Sequence, residues 1–299
     1  MHSDFEIFDE RMRDLLLPNS SLQQVATGAS WSEGPVYLPK EDALLWSDIP
    51  GNRLLRWSTR DGLSEFLKPA HFQNGHTLDT EGRVLACSHG ERAVLRLEAD
   101  GTWTTLVSHY GGKRLNSPND IVVKSDATIW FTDPDYGLIQ PHEGYGGERE
   151  QVGCFVYRFD PKTKEITAVV TDMQKPNGLA FSPDEALLYI TDTSASHDAD
   201  GFHHLRVYDV VEGREAKNGR LFAEISPGLP DGFRLDSHGH LFISSQDSVQ
   251  IYTPDATCLG KIKVPEKVGN LAFGGQERNR LFIAASSSLY TITLNTRGN

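Results

Sequence analysis

A short pattern returns six times along the chain, and it leaves few folds open. Glu33-Gly34-Pro35-Val36, Asn74-Gly75-His76-Thr77, Asn119-Asp120-Ile121-Val122, Asn177-Gly178-Leu179-Ala180 and Asp231-Gly232-Phe233-Arg234 align directly. Gly269-Asn270-Leu271-Ala272 joins them with glycine in the first column. Each opens a run of β-formers, and a turn and a second strand follow, as in Leu44–Asp48, Val84–His89, Thr128–Asp133, Leu187–Asp192, Leu241–Ser245 and Leu281–Ala285. A third strand comes next, as in Arg53–Trp57, Gly153–Phe159 and Leu205–Tyr208. The segments start at residues 33, 74, 119, 177, 231 and 269, so the unit is 38 to 58 residues long. Short strands in units of that length are the signature of a propeller, whose radial repetition hides most sheet edges. The expected fold is all-β, a six-bladed β-propeller with four-stranded antiparallel blades.

The last unit ends near Leu294 with three strands, while Leu22–Ala26 stands alone before the first. This N-terminal strand is expected to complete the last blade, closing the ring and removing an exposed edge. Phe5, Phe8, Met12, Leu15 and Leu16 recur at three- and four-residue steps before Pro18, which predicts a short N-terminal helical segment. The expected division is an N-terminal extension, residues 1–19, and a single propeller domain, residues 20–299. The longest units owe their length to Gly137–Gln151 and Ser194–Gly201, read as loops forming a lid or rim over one face.

The formal net charge of −12 argues against nucleic acid and anionic membranes, since the most basic stretch, Lys113-Arg114, is too short to form a binding patch. No apolar run approaches the length of a membrane span. No basic head and apolar stretch opens the chain, so no secretion signal is expected. Three scattered cysteines, Cys87, Cys154 and Cys258, make neither a disulfide framework nor a metal knuckle. A cytoplasmic location is the expectation. Nucleophile-elbow, P-loop and dinucleotide motifs are missing. The residues leave the oligomeric state open.

In a propeller the first strand of each blade lines the central channel, so equivalent positions meet around the axis. The first column reads Glu33, Asn74, Asn119, Asn177, Asp231, Gly269. Five of these six offer oxygen, two of them as carboxylates, and none is His or Cys. Hard oxygen donors suit Ca²⁺. Asn-Gly and Asp-Gly are also common turn dipeptides, so a single copy is explained by the turn before an inner strand. Turn chemistry does not explain Glu33, or Asn119 followed by Asp120. Glu33, Asn177, Asp231 and Asn119 are therefore candidate metal ligands, and Asn74 a candidate contact to substrate or a ligating water. His76, two residues past the ring position, is a candidate base, and His89, beside the same mouth, is a candidate substrate contact. A second column, Asp48, His89, Asp133, Asp192, ends the second strands and reads first as turn caps. The oxygen-rich run Asp133-Pro134-Asp135-Tyr136-Gly137 also suits a second, peripheral cation.

These stretches carry a resemblance. Trp31–Tyr37, Asn116–Ile121, Trp130–Gly137, Pro176–Pro183 and Pro230–Gly232, in this order, resemble the family that joins gluconolactonases, the senescence marker protein (regucalcin) and related lactonases. The chain is most similar to bacterial gluconolactonases, which share the Ser117–Asp120 run and the Ser88–Arg92 stretch. The resemblance implies a six-bladed propeller with a divalent cation, usually Ca²⁺, in the channel mouth. It implies Glu33, Asn177 and Asp231 as ligands, Asp231 as acid/base, and Asn119 in contact with substrate and metal. Animal members place a sugar-binding Arg where this chain has Ser117, which makes Ser117 a candidate substrate contact.

The expected function is calcium-dependent hydrolysis of a small-molecule sugar lactone. The cation polarises the carbonyl, a water attacks, and Asp231 moves the proton to the departing ring oxygen, with His76 as alternative base. Two alternatives stay open: an arylesterase or phosphotriesterase on the same site, and a non-enzymatic calcium-binding propeller.

Overall fold

The computed structural model describes residues 4–299. Six antiparallel sheets are built on the innermost strands Ser32–Leu38, Gln73–Leu78, Ile121–Val123, Pro176–Phe181, Phe233–Leu235 and Val268–Gly274. Each innermost strand touches those of the flanking blades, and the last touches the first, so the sheets form a closed ring. This is the six-bladed propeller that the repeat predicts.

The second strands show why sequence alternation is weak. Neighbouring residues on a strand point to opposite faces, and here both faces meet another blade. Trp46 packs with Trp57, Ala272 and Phe282, towards blade six. Its neighbour Leu45 packs with Val36, Leu54 and Val84, towards blade two. Two buried faces demand a continuous apolar run, and Ala43-Leu44-Leu45-Trp46 is buried throughout.

The strand before the first blade forms at Gln23–Thr27 and pairs antiparallel with Ser288–Thr293, completing blade six. The N-terminal segment differs from the expected helix. Phe5–Ile7 is a strand that pairs with Cys258–Lys263, adding a fifth strand to blade five. A 3₁₀ helix, Glu10–Leu15, follows, with Asp9 as its side-chain cap. Phe5 and Ile7 flank an exposed Glu6, a two-residue period that fits an open sheet edge. Met12 and Leu15 are buried among Leu259, Ile262 and Leu294, so the three-residue spacing is satisfied by one short turn. This segment packs on its own propeller.

The Gly137–Gln151 and Ser194–Gly201 stretches both contribute to the mouth of the channel, through His142, Glu143, Ser196 and His197. A one-turn helix, Tyr136–Ile139, begins the first. Among the described residues no helix is long and apolar enough to cross a membrane.

Candidate metal and substrate site at the channel mouth

The ring is assembled through its backbone. The Gly75 amide donates to the Asn119 carbonyl at 2.8 Å, Gly178 to Asp231 at 3.2 Å and Gly232 to Gly269 at 2.8 Å. Each bond ties one blade to the first-column residue of the next, and Gly269 holds the column position that the alignment assigns it. Hydroxyls on the second strands support carbonyls of the same column: Ser47 donates to Asn74 O at 3.0 Å, Thr132 to Asn177 O at 2.7 Å and Thr191 to Asp231 O at 2.8 Å. In four blades the strand register slips beside the column, at Glu33/Val36, Gln73/His76, Pro176/Leu179 and Val268/Asn270. Such bulges re-aim side chains, and here the column turns towards the axis.

Glu33, Asn74, Asn119, Asn177 and Asp231 line one cavity of about 400 Å³. Glu33 is buried. Its Oε2 accepts from the Gly34 amide at 2.7 Å and from Asn270 Nδ2 at 3.1 Å, while Oε1 is buried without a partner. Burial raises its carboxyl well above the usual range, and the charges of Asp231 and Asp120 raise it further. Asp231 is reached from the cavity, and burial pushes its carboxyl up to about 7, against the pull of Lys267. The Asn177 side chain bonds both Asp231 and Thr193 Oγ1, the latter at 3.2 Å.

One layer deeper the column reads Gly34, Gly75, Asp120, Gly178, Gly232, Asn270. Four glycines leave room for two polar side chains. A Cβ on Gly232 would sit 2.0 Å from Asn270 Cγ, and one on Gly75 would sit 2.7 Å from Asp120 Oδ1. Asn270 Nδ2 lies 3.3 Å from Asp120 Oδ2, which lies 3.5 Å from Arg234 Nη1. Asp120 and Asn270 complete the site from below and are absent from the sequence-derived set. Their signal was a non-glycine residue in the second column.

His89 supports the ring from behind. Its Nδ1 donates to the Glu143 carbonyl at 2.9 Å, pinning the long loop, so Nε2 faces Asn74 Nδ2 at 3.4 Å as an acceptor. That orientation leaves Asn74 Oδ1, buried and without a partner, as the free end of the amide. Burial lowers the His89 imidazole to about 4.

His76 and Ser117 are not brought to the cavity. His76 is buried with Nδ1 on Gly34 O at 2.8 Å and Nε2 at 3.2 Å from Gln73 Oε1, and it lines a separate cavity towards the other end of the channel. Ser117 Oγ donates to Pro134 O at 2.6 Å and accepts from the Gly137 amide at 3.0 Å, so its hydroxyl is committed to the loop. Asp133 Oδ2 accepts from the Asn116 amide at 2.8 Å. Asp48 and Asp192 cap the Ser30 and Gln174 amides in the same way, also at 2.8 Å. Asp133 is thus the third-blade copy of a loop cap, although its Oδ1 is buried and unpartnered.

Asp236, His238 and His240 bring ligand-type atoms within 4.8 Å of one another, beyond the far end of the blade-five inner strand. Asp236 Oδ1 accepts from the His238 and His240 amides at 2.9 and 2.8 Å, and Oδ2 pairs with His240 Nδ1 at 2.8 Å. Asp79 binds the Glu81 and Arg83 amides and the Arg83 side chain in the same pattern. The cluster is the blade-five version of that turn cap.

The channel mouth fits a divalent cation. Three carboxylates, Glu33, Asp120 and Asp231, repel one another there, three amides, Asn74, Asn119 and Asn177, add neutral oxygen, and Glu33 Oε1 and Asn74 Oδ1 lack partners. An all-oxygen set of this kind suits a hard cation such as Ca²⁺.

The family model for the SMP-30/gluconolactonase/LRE-like region matches residues 31–287. The chain belongs to this family. Gluconolactonase from Zymomonas mobilis is 31% identical over an alignment of 310 residues, covering 97% of the chain and 86% of that protein. Pentonolactonase from Haloferax volcanii is 28% identical, covering 88% and 84%. The solved structure of a gluconolactonase from Xanthomonas campestris superposes with a TM-score of 0.91 at 36% identity, covering 98% of this chain and 95% of that one. Family membership thus accounts for a propeller whose loops and ring residues all serve one mouth.

Proposed function

We propose that the protein is a lactonase that opens a sugar lactone to its hydroxy acid at the channel mouth, with a divalent cation, Ca²⁺ by donor chemistry, held by Glu33, Asn119, Asn177 and Asp231. The observation that carries this reading is the buried, unpartnered Oε1 of Glu33, a residue that lines the same cavity as Asp231. Family membership and the activities of the gluconolactonase and pentonolactonase relatives support the substrate class. The bound cation supplies Lewis-acid polarisation of the lactone carbonyl.

The remaining steps fall to the chain. Asp231 takes a proton from the attacking water as the new C–O bond forms. When the ring C–O bond breaks, the same carboxyl returns the proton to the ring oxygen, leaving a carboxylic acid and a free hydroxyl. Asn74 Oδ1, held by His89, and the Asn119 amide meet the hydroxyls of the ring. Asn177 orients Asp231. His76 has no part in this scheme, since both ring nitrogens are engaged elsewhere. The loop carrying His142 and Glu143 screens the cavity from bulk water.

Acid release from glucono-1,5-lactone, corrected for spontaneous opening, tests the proposal. Activity that is lost on chelation, regained with Ca²⁺ and missing from folded Asp231→Ala supports it. Wild-type protein no faster than the blank on aldonolactones overturns the substrate class.

A further inference from the structure

The cavity is divided by chemistry. Its floor offers oxygen, from the buried Glu33, Asn74, Asn119 and Asn177. Its outer wall carries nitrogen from Lys267, His142 and His197, beside one carboxylate, Glu143, whose charge, like that of Asp231, Lys267 offsets from beyond ion-pair distance. Lys267 is half-buried, and its ammonium sits over the Trp31 ring at 5.1 Å from the centroid. Among the described residues it meets no carboxylate at ion-pair distance and no hydrogen-bond acceptor. Other lysines close to the mouth are committed, as Lys175 is to Asp135. A long flexible amine normally keeps its charge in water. One held by an aromatic face inside a cavity is a pre-placed donor for a ligand.

A neutral aldonolactone uses the floor and gives the Lys267 ammonium no anion of its own to meet. The floor takes the carbonyl end, so the far end of the substrate lies against the wall. We infer that Lys267 is a specificity residue for an acidic group at the end of the lactone remote from its carbonyl, so that the preferred substrate is an anionic sugar lactone bearing a phosphate or a carboxylate. His142, exposed on the loop beside Glu143, lies on the same wall and supplies a second nitrogen to that group. An ammonium meeting an anion makes a charge-assisted hydrogen bond, about twice as strong as a neutral one, and the cavity shields it from salt. The inference rests on the lactonase reading above.

The test compares kcat/KM, with saturating Ca²⁺, for glucono-1,5-lactone, 6-phosphoglucono-1,5-lactone and glucaro-1,4-lactone. Wild type is expected to favour at least one acidic lactone over the neutral one by about tenfold or more. Lys267→Met is expected to lose about tenfold more on that acidic lactone than on the neutral one, chiefly in KM, and Lys267→Arg to keep most of the preference. The phosphorylated and carboxylated lactones separate the two anion types. Unchanged melting temperatures establish that the variants are folded. A wild type that prefers the neutral lactone, or a Lys267→Met that loses equally on all three, overturns the inference while leaving the lactonase reading intact. Absence of hydrolysis of any lactone removes both, and the neutral lactone identifies that case.

Discussion

Asn270 and Glu33 stand 237 positions apart in the chain and meet at 3.1 Å where the last blade adjoins the first. The amide of the last blade holds one oxygen of the first blade's carboxylate, and Gly34 N–H holds the same oxygen. Glu33 is thereby fixed with its other oxygen free. Asn270 also reaches Asp120 at 3.3 Å, so one neutral donor separates two carboxylates. Replacing it with a third acid removes that separation. Asn270→Asp is expected to melt lower than wild type in chelator and to show a larger rise in melting temperature on adding Ca²⁺. Paired thermal scans with and without Ca²⁺ check this.

Asp231 is assigned the proton transfers. Asp231→Asn keeps an oxygen donor but cannot carry a proton. It is expected to lower kcat by about 10²–10⁴-fold with a smaller effect on Ca²⁺ affinity. Acid-release kinetics and calcium titration calorimetry read the two effects separately.

The glycine layer is a packing requirement. A Cβ at Gly232 would meet Asn270 Cγ at 2.0 Å, and the amide has nowhere to go without leaving Glu33 or Asp120. Gly232→Ala is expected to destabilise the protein by about 1–3 kcal/mol, as over-packing of a full core does. Denaturant unfolding measures it, and a variant as stable as wild type would count against the close approach.

The acid limb of stability has two named sources. Burial lowers His76 and His89 to about 4 in the folded protein, from 6.5. Between those values the unfolded chain binds more protons at these two groups, so their contribution to stability falls as pH drops from 6.5 to 4 and is level above that window, while the raised carboxyls of Asp231, Asp133 and Glu33 act in the opposite sense. Each group contributes about 3 kcal/mol of loss at pH 4. Denaturant midpoints of wild type and His76→Gln across pH 4–8, taken as a difference, isolate one imidazole, and the variant is expected to gain on wild type as pH falls from 6.5 to 4.

The N-terminal strand closes blade six. Removing residues 1–28 strips Gln23–Thr27 from Ser288–Thr293 and opens a sheet edge. The truncated chain is expected to unfold at lower temperature and to aggregate, because unpaired edges recruit other strands. Light scattering during a thermal ramp reads both.

Blade number, the closing strand and the oxygen ring were legible because a propeller repeats its geometry, so equivalent positions carry equivalent roles. The second layer was harder to read. Asp120 and Asn270 matter because glycines opposite them vacate space, and that complementarity crosses blades. Lys267 stands outside the repeat, where only folding sets it over Trp31. His76 was named from its distance to the column and Ser117 from the resemblance, yet a bulged strand and a tight loop turn imidazole and hydroxyl to backbone carbonyls. The helix expected from Phe5 to Leu17 became a strand and a 3₁₀ turn because a sheet edge and an apolar seam on blade five were available to it. Spacing along a short segment does not reveal such a docking surface.

The order in which the ring is joined has a consequence for biosynthesis. A chain leaving the ribosome delivers Glu33 early, but Asn270 and the partner of the closing strand are among its last parts. Domains generally fold from the first-made end, yet here the closing strand, made early, waits for the last blade, and the ring stays open until translation is nearly over. A stalled nascent chain therefore displays acidic blades and no working mouth, and catalytic competence arrives at one moment, with the full-length product.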